Sequence, residues 1–387
     1  MAAKSDHIDE SKEDHIRLAN VVKGVHAGLR RKYKESGDFV RTWQDHCQDE
    51  EVLSEYADAM HHLAVDHWTK RPDTRIDWCR DTLLEYFLHG GLVKVLEKDA
   101  RRSALERQTV QQSPNAKGDS QANECAACLL KNKNCKALGA GDQVNANGSH
   151  MWNKQYDTVQ LPLEGKIRLL DVGSCFNPFL EFEEFLPVGI DICPAKPSVF
   201  HCDFLHLETT ETLQLAWDTL DTYMSNLRSP IEKLPKDSFH VVVFSLLLEY
   251  FPAPYQRWLC CQKARKLLMK NGLLVIITPD SHPQHRNAPM IKSWRTAIES
   301  MGFARWRYVK QDHLHCMAFR KVPQPRDRDR HLVGDATPDM LYIPQDFSDD
   351  AANNGSDVAP TYTSTDEEFF RQTVHELPRA FTDDESE

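Results

Sequence analysis

The stretch Ile167-Arg-Leu-Leu-Asp-Val-Gly173 does most to limit what this 387-residue sequence can fold into. Six mostly apolar residues that run straight into a glycine, followed by alternating apolar and helical segments, are the texture of a strand buried on both faces of a parallel sheet. Val188-Ile190, Val199-His201, Phe239-Phe244 and Leu273-Thr278 repeat it. Between them Thr209-Leu227 and Pro254-Met269 read as crossover helices, the second ending at an Asn271-Gly272 turn. Ala288-Met301 reads as a further helix, and Trp306-Val309 with His315-Arg320 as a closing antiparallel pair. The count is that of a seven-stranded α/β domain over residues 161–322.

Ahead of it the period is helical. Apolar residues recur three or four apart in Val21, Val22, Val25, Leu29, then Leu53, Tyr56, Met60, Leu63, then Leu83, Leu84, Phe87, Leu88, which predicts an N-terminal helical domain over 15–106 after a disordered 1–14. Residues 107–160 are rich in Gln, Asn, Ser, Gly and Lys and read as a flexible insert. The insert holds Cys125, Cys128 and Cys135. Zinc would need a fourth ligand, and His150 stands at none of the usual spacings, so no metal is assigned.

Residues 323–387 read as an acidic, largely disordered tail. From Thr337 onward thirteen Asp and Glu face two Arg, which accounts for the formal net charge of −11 and leaves the rest near neutral. A nucleic-acid surface wants a marked basic excess, so nucleic acid is not the expected partner, and the basic run Leu29 to Lys34 reads as a solvated helix face. No apolar run of about 18 residues suggests a membrane span. The polar start predicts a protein that is not secreted, and eleven cysteines, an odd number, suit reduced thiols in a cytosolic or nuclear compartment, with the cytoplasm the expected location.

Gly173 closes the first strand, and eighteen residues later the second ends in Gly189-Ile-Asp191. That spacing suits a nucleoside: Gly173 lets the backbone come close, Asp191 accepts both ribose hydroxyls, and Ile192 beside it is assigned to the same site. The loop has one glycine where a dinucleotide fingerprint has three, which disfavours NAD. S-adenosylmethionine carries no phosphate and needs no such cradle. The third strand ends in Cys202-Asp203-Phe204, where Asp203 accepts the adenine amino group and Phe204 covers the ring, or Asp203 caps a turn and Phe204 is core. The fold expected is a class I methyltransferase-like Rossmann domain with an N-terminal helical domain.

Ser245, at the tip of the fourth strand, lies where a transferred methyl would sit. An amino-methylating enzyme would show Asn or Asp, two prolines and an aromatic ring there. The chain has Ser245-Leu-Leu-Leu-Glu-Tyr-Phe-Pro252, with no evident general base; Glu249 and Tyr250 are polar groups near the pocket or parts of a helix face and core. Asn177-Pro178-Phe179 imitates that motif after the wrong strand and reads as a turn and helix start.

Arg168-Leu-Leu-Asp-Val-Gly-Ser-Cys-Phe-Asn-Pro-Phe-Leu, Phe239-His-Val-Val-Val-Phe-Ser-Leu-Leu-Leu, Pro254-Tyr-Gln-Arg-Trp, Leu341-Tyr-Ile-Pro-Gln-Asp-Phe, Gly37-Asp-Phe and Arg75-Ile-Asp-Trp-Cys closely resemble a family of S-adenosylmethionine sensors that act upstream of mTOR complex 1. These are relatives of the fungal 25S ribosomal-RNA adenine-N1 methyltransferases. The resemblance implies a regulator rather than an enzyme: with ligand low it binds the GATOR and KICSTOR complexes and restrains signalling, and bound ligand releases it. It implies recruitment to the lysosomal surface through those partners, binding of S-adenosylhomocysteine too, and a helical domain that closes over the ligand. Arg75 would then meet the methionine carboxylate, the other reading being a surface ion pair. The alternative function is a methyltransferase acting on an adenine of RNA, against which stand the missing tetrapeptide, the weak basic charge and the acidic tail.

Overall fold

The computed structural model describes residues 2–68, 74–111, 157–280, 287–311, 313–322 and 336–347. Cys125, Cys128, Cys135 and His150 lie outside these, and among the described residues no group of His, Cys, Asp and Glu is arranged to hold a metal ion.

Among the described residues five α-helices come first, α1 (Ala2–Ser36), α2 (Phe39–Cys47), α3 (Glu50–His62), α4 (Arg75–Phe87) and α5 (Gly91–Gln111), with one π-helical turn, Leu63–Trp68, following α3. Helix α1 takes in residues 2–14, expected to be disordered, because the Ala, Lys and Glu there favour helix. Local sequence sets each boundary. Gly37, at φ +67°, breaks the chain, and Asp38 caps α2 by accepting from the Val40 and Arg41 amides at 3.0 Å. Thr74 and Asp77 form a capping box that starts α4 and fixes Arg75 as its first residue.

The strands are β1 (Ile167–Val172), β2 (Phe185–Asp191), β3 (Val199–His201), β4 (Glu208–Thr210), β5 (Lys233–Pro235), β6 (Phe239–Ser245), β7 (Leu268–Pro279), β8 (Phe303–Gln311) and β9 (Leu314–Lys321). Seven form one sheet in the order β3-β2-β1-β6-β7-β9-β8, parallel through β7 and antiparallel from β7 to β9 and from β9 to β8. This is the class I methyltransferase-like Rossmann arrangement, with the order reversing between β1 and β6. Both central strands are buried on both faces, as their unbroken apolar runs require. Helices α6 (Trp217–Ser225), α7 (Pro254–Leu267) and α8 (Ala288–Ser300) complete the layers.

Two further expectations need correcting. The crossover expected to be helical over Thr209-Leu227 is helical only in α6, because β4 pairs with β5 as a separate ribbon and Leu213 and Leu215 pack on the core from extended chain. The tail is not featureless either: Pro338–Leu341 and Pro344–Asp346 form two 3₁₀ turns that bury Leu341 and Ile343. Leu29 and Trp43 of the N-terminal helices join the same buried cluster as Val172, Ile190 and Phe244 of the sheet. Among the described residues no helix is long and apolar enough to cross a membrane.

Candidate functional site

A cavity of ≈ 730 Å³, measured out to its mouth, opens at the carboxyl ends of β1, β2, β3 and β6 and is roofed by α2 and α3. Gly173, Asp191, Ile192, Asp203, Phe204 and Ser245 all line it. A smaller space of ≈ 370 Å³ adjoins it, shares Gly173, Cys175 and Ser245, and is lined by Arg75, Asp171 and Ser174. The fold therefore gathers all seven residues singled out in the sequence.

Gly173 sits at φ +72°, where a side chain would strain the backbone, and an added Cβ would lie 2.8 Å from Leu247 Cδ1. Asp191 ends β2 with its carboxylate fixed from behind: Cys175 N donates to Oδ2 at 3.0 Å and Cys193 N to Oδ1 at 2.8 Å. Each oxygen keeps acceptor capacity for a further donor. Burial raises the Asp191 pKa to about 6 despite those amides.

Asp203 is more occupied. Oδ1 accepts from Leu205 N at 2.9 Å, which is the turn-capping role. Oδ2 accepts from Trp43 Nε1 at 2.9 Å and pairs with His206 Nδ1 at 2.5 Å. The open acceptor capacity is on Oδ1. Phe204 is nearly buried and meets Phe244 edge to face at 5.8 Å. It is thus at once core and cavity wall.

Arg75 Nε donates to Ser245 Oγ at 3.0 Å, and its guanidinium lies 4.8 Å from the Trp68 ring centre. It is partly buried and turned inward, which is not the surface ion pair offered as the other reading. Asp171 is 3% exposed, accepts from Ser174 Oγ at 2.6 Å, and has its pKa raised by burial to about 7, the Arg75 charge opposing. Asn177 at φ 56° opens the 3₁₀ turn Pro178–Glu181, the turn and helix start that the sequence indicated.

The roof is aromatic. Trp43, Tyr56 and Tyr250 face the cavity, with Tyr56 and Tyr250 rings 4.8 Å apart. His46 bonds to the Tyr250 hydroxyl, and His26 to that of Tyr56 at 3.0 Å. Burial depresses the His46 pKa to about 4 and the His26 pKa to about 3, so both are neutral near pH 7. The site is a concave, largely apolar pocket with a few fixed carboxylates and one inward cation.

No family model matches the chain. A zebrafish (Danio rerio) protein described as "S-adenosylmethionine sensor upstream of mTORC1" is 50% identical over 343 residues, covering 88% of this chain and 79% of that protein. A Xenopus laevis protein of the same description is 46% identical over 379 residues, covering 97% and 87%. The chain belongs to this family of S-adenosylmethionine sensors. Among solved structures, a TehB-like SAM-dependent methyltransferase from Corynebacterium glutamicum is 15% identical over 41% of this chain and 82% of that one, with a TM-score of 0.28.

Trp43, Tyr56, Asp171 and Cys175 line these two spaces and were not singled out as site residues from the sequence. Trp43 and Tyr56 carry the apolar periodicity of any amphipathic helix, and nothing local marks a ring that reaches 160 residues ahead to Asp203. Asp171 had a usable signal: a lone acid inside the run Ile167–Val172 has to be buried, and a buried acid needs a reason.

Proposed function

We propose that the protein is an S-adenosylmethionine-binding sensor that restrains mTOR complex 1 signalling when ligand is scarce. The observation that carries this is the convergence of Gly173, Asp191, Asp203 and Ser245 on one cavity whose opposite wall is built by N-terminal helices. In this reading Asp191 takes the ribose hydroxyls, Asp203 Oδ1 the adenine amino group, Ile192 and Phe204 the apolar faces, and Ser245 lies beside the sulfonium. Arg75 has one of its five donors on Ser245, and the others suit the methionine carboxylate.

A ligand seated there touches the strand ends and the helices α2 and α3 at once, so it changes how firmly the two hold together. Partners that prefer the looser arrangement, GATOR and KICSTOR in this proposal, lose affinity by the factor by which they weaken ligand binding. The protein works in the cytoplasm and reaches the lysosomal surface through those partners. S-adenosylhomocysteine binds as well, since it differs only by a methyl group and its charge.

The test is calorimetric titration with S-adenosylmethionine and, separately, S-adenosylhomocysteine, on wild type and Asp191→Ala. Both ligands should bind wild type and neither the variant, and added S-adenosylmethionine should release GATOR and KICSTOR in a pull-down. Failure of both ligands to bind wild type would sink the reading. Turnover of S-adenosylmethionine with an RNA acceptor would favour the methyltransferase alternative.

A further inference from the structure

Two sequence runs stand outside the ligand contacts, Pro254-Tyr-Gln-Arg-Trp and Leu341-Tyr-Ile-Pro-Gln-Asp-Phe. They are the two halves of one contact. Arg257 of α7 is 0% exposed, and a guanidinium is taken out of water only where its donors are met. All five are. Nε donates to Leu248 O at 3.1 Å. Nη1 donates to Leu341 O at 2.9 Å and Asp346 Oδ2 at 2.7 Å. Nη2 donates to Phe251 O at 2.8 Å and Asp346 Oδ1 at 2.8 Å.

The two carbonyls from the 248–251 turn flank Tyr250, and Tyr250 and Phe251 line the ligand cavity. The other partners belong to the strap 336–347, which is held further by Ser293 Oγ on Met340 O and Trp294 Nε1 on Tyr342 O, both at 2.7 Å. The planar fork fixes strap and turn in one geometry, because no donor can be redirected without leaving a buried group unmet.

We infer that Arg257, oriented by Asp346 of the C-terminal strap, is a positioning residue that sets the aromatic wall of the ligand cavity. The inference rests on the reading that this cavity takes S-adenosylmethionine. Strap and ligand are then coupled sites: docking of the strap raises ligand affinity, and ligand tightens the strap by the same factor.

The experiment uses the full chain as wild type, Asp346→Asn and Ser293→Ala, at a temperature where calorimetry shows all three folded. S-adenosylmethionine is titrated into each, and hydrogen exchange of 338–346 and 248–251 is followed with and without it. The expected result is about tenfold weaker binding in Asp346→Asn, within the usual range for coupled sites, a smaller loss in Ser293→Ala, and ligand-slowed exchange in the wild-type strap. Should Asp346→Asn fail to fold, Ser293→Ala carries the test, since it leaves the Arg257 pair intact. A strap that only adds stability would lower the melting temperature and leave affinity and ligand-dependent exchange unchanged, which would overturn the inference. Absence of binding by wild type would instead fail the ligand reading first, so the two failures are told apart.

Discussion

Trp43 and Asp203, 160 residues apart in the chain, are joined by a 2.9 Å hydrogen bond from the indole Nε1 to the carboxylate Oδ2. The bond ties α2 to the end of β3 at the wall of the proposed ligand cavity. Trp43→Phe removes the donor and keeps a ring in the roof. Asp203 retains Leu205 N and His206, so the expected loss is a single bond of about 1 kcal/mol. Ligand affinity should fall by less than tenfold. Trp43→Ala, which also empties a buried ring's volume, should cost about 3–5 kcal/mol. Urea unfolding of the pair separates the bond from the packing, and an unchanged stability in Trp43→Phe would mean that the bond contributes nothing.

Gly173 is constrained twice, by its φ of +72° and by Leu247 Cδ1 at 2.8 Å from an added Cβ. The left-handed backbone makes Gly173→Ala cost about 1–2 kcal/mol. The steric contact itself is cheap, because the end of a leucine side chain can turn aside. Leu247 lines the same cavity as Gly173, so its displacement alters the space proposed for the ligand. Ligand affinity should therefore fall at least tenfold, and Gly173→Asp, which adds charge, should abolish binding and leave the protein bound to its partners. Unchanged affinity in the alanine variant would show that the ligand does not approach this backbone.

How much was readable in advance follows from how local each signal is. The strand runs, the glycine after β1 and the acid at the end of β2 are all set within a few residues, and the strands Ile167–Val172 and Val199–His201 come out as expected. Arg75 became a ligand candidate only through resemblance, because a lone arginine at a helix start has no local mark of an inward role. The Trp43 to Asp203 bond and the strap's grip on Arg257 join segments 160 and 89 residues apart. Their parts look like an ordinary amphipathic helix and an ordinary acidic tail. The expected helix over Thr209-Leu227 failed because β4 found a partner, β5, more than twenty residues further along the chain.

The ionisation of Asp191 sets a pH dependence for binding. Burial raises its pKa from 3.8 to about 6, and only the carboxylate accepts from both ribose hydroxyls without giving up a proton. Protons therefore compete with ligand. Affinity should climb by up to tenfold per pH unit below about 6 and level off above about 7, as expected for one titrating group. Asp191→Asn should bind weakly and lose most of the slope. A remainder would come from Asp171, whose pKa is raised to about 7 next to Arg75. Titrations from pH 5.5 to 8 measure both, and a flat wild-type profile would remove Asp191 from the ribose site.

Glu249 sits on the other side of the 248–251 turn with both carboxylate oxygens buried and outside hydrogen-bond geometry, although the Thr278 hydroxyl is close enough to act on it. Burial raises its pKa from 4.5 to about 7, with the charges of Arg257 and Arg30 pulling the other way. Between those values the folded chain holds a proton that the unfolded chain has lost, so this group's stabilisation is full below pH 4.5 and is lost as pH rises to 7. At about 1.4 kcal/mol per unit the cost of the ionised form is roughly 3–4 kcal/mol. A glutamine in its place would carry no charge at any pH. Glu249→Gln should therefore gain about 1–3 kcal/mol over wild type at pH 8 and almost nothing at pH 5. His26 and His46, with depressed values, contribute stability above pH 6.5 that is lost as pH falls, but they do so in both proteins and cancel in the difference. Urea unfolding of the two proteins at both pH values decides it: a difference that does not change with pH would mean that Glu249 finds a partner for its charge in solution.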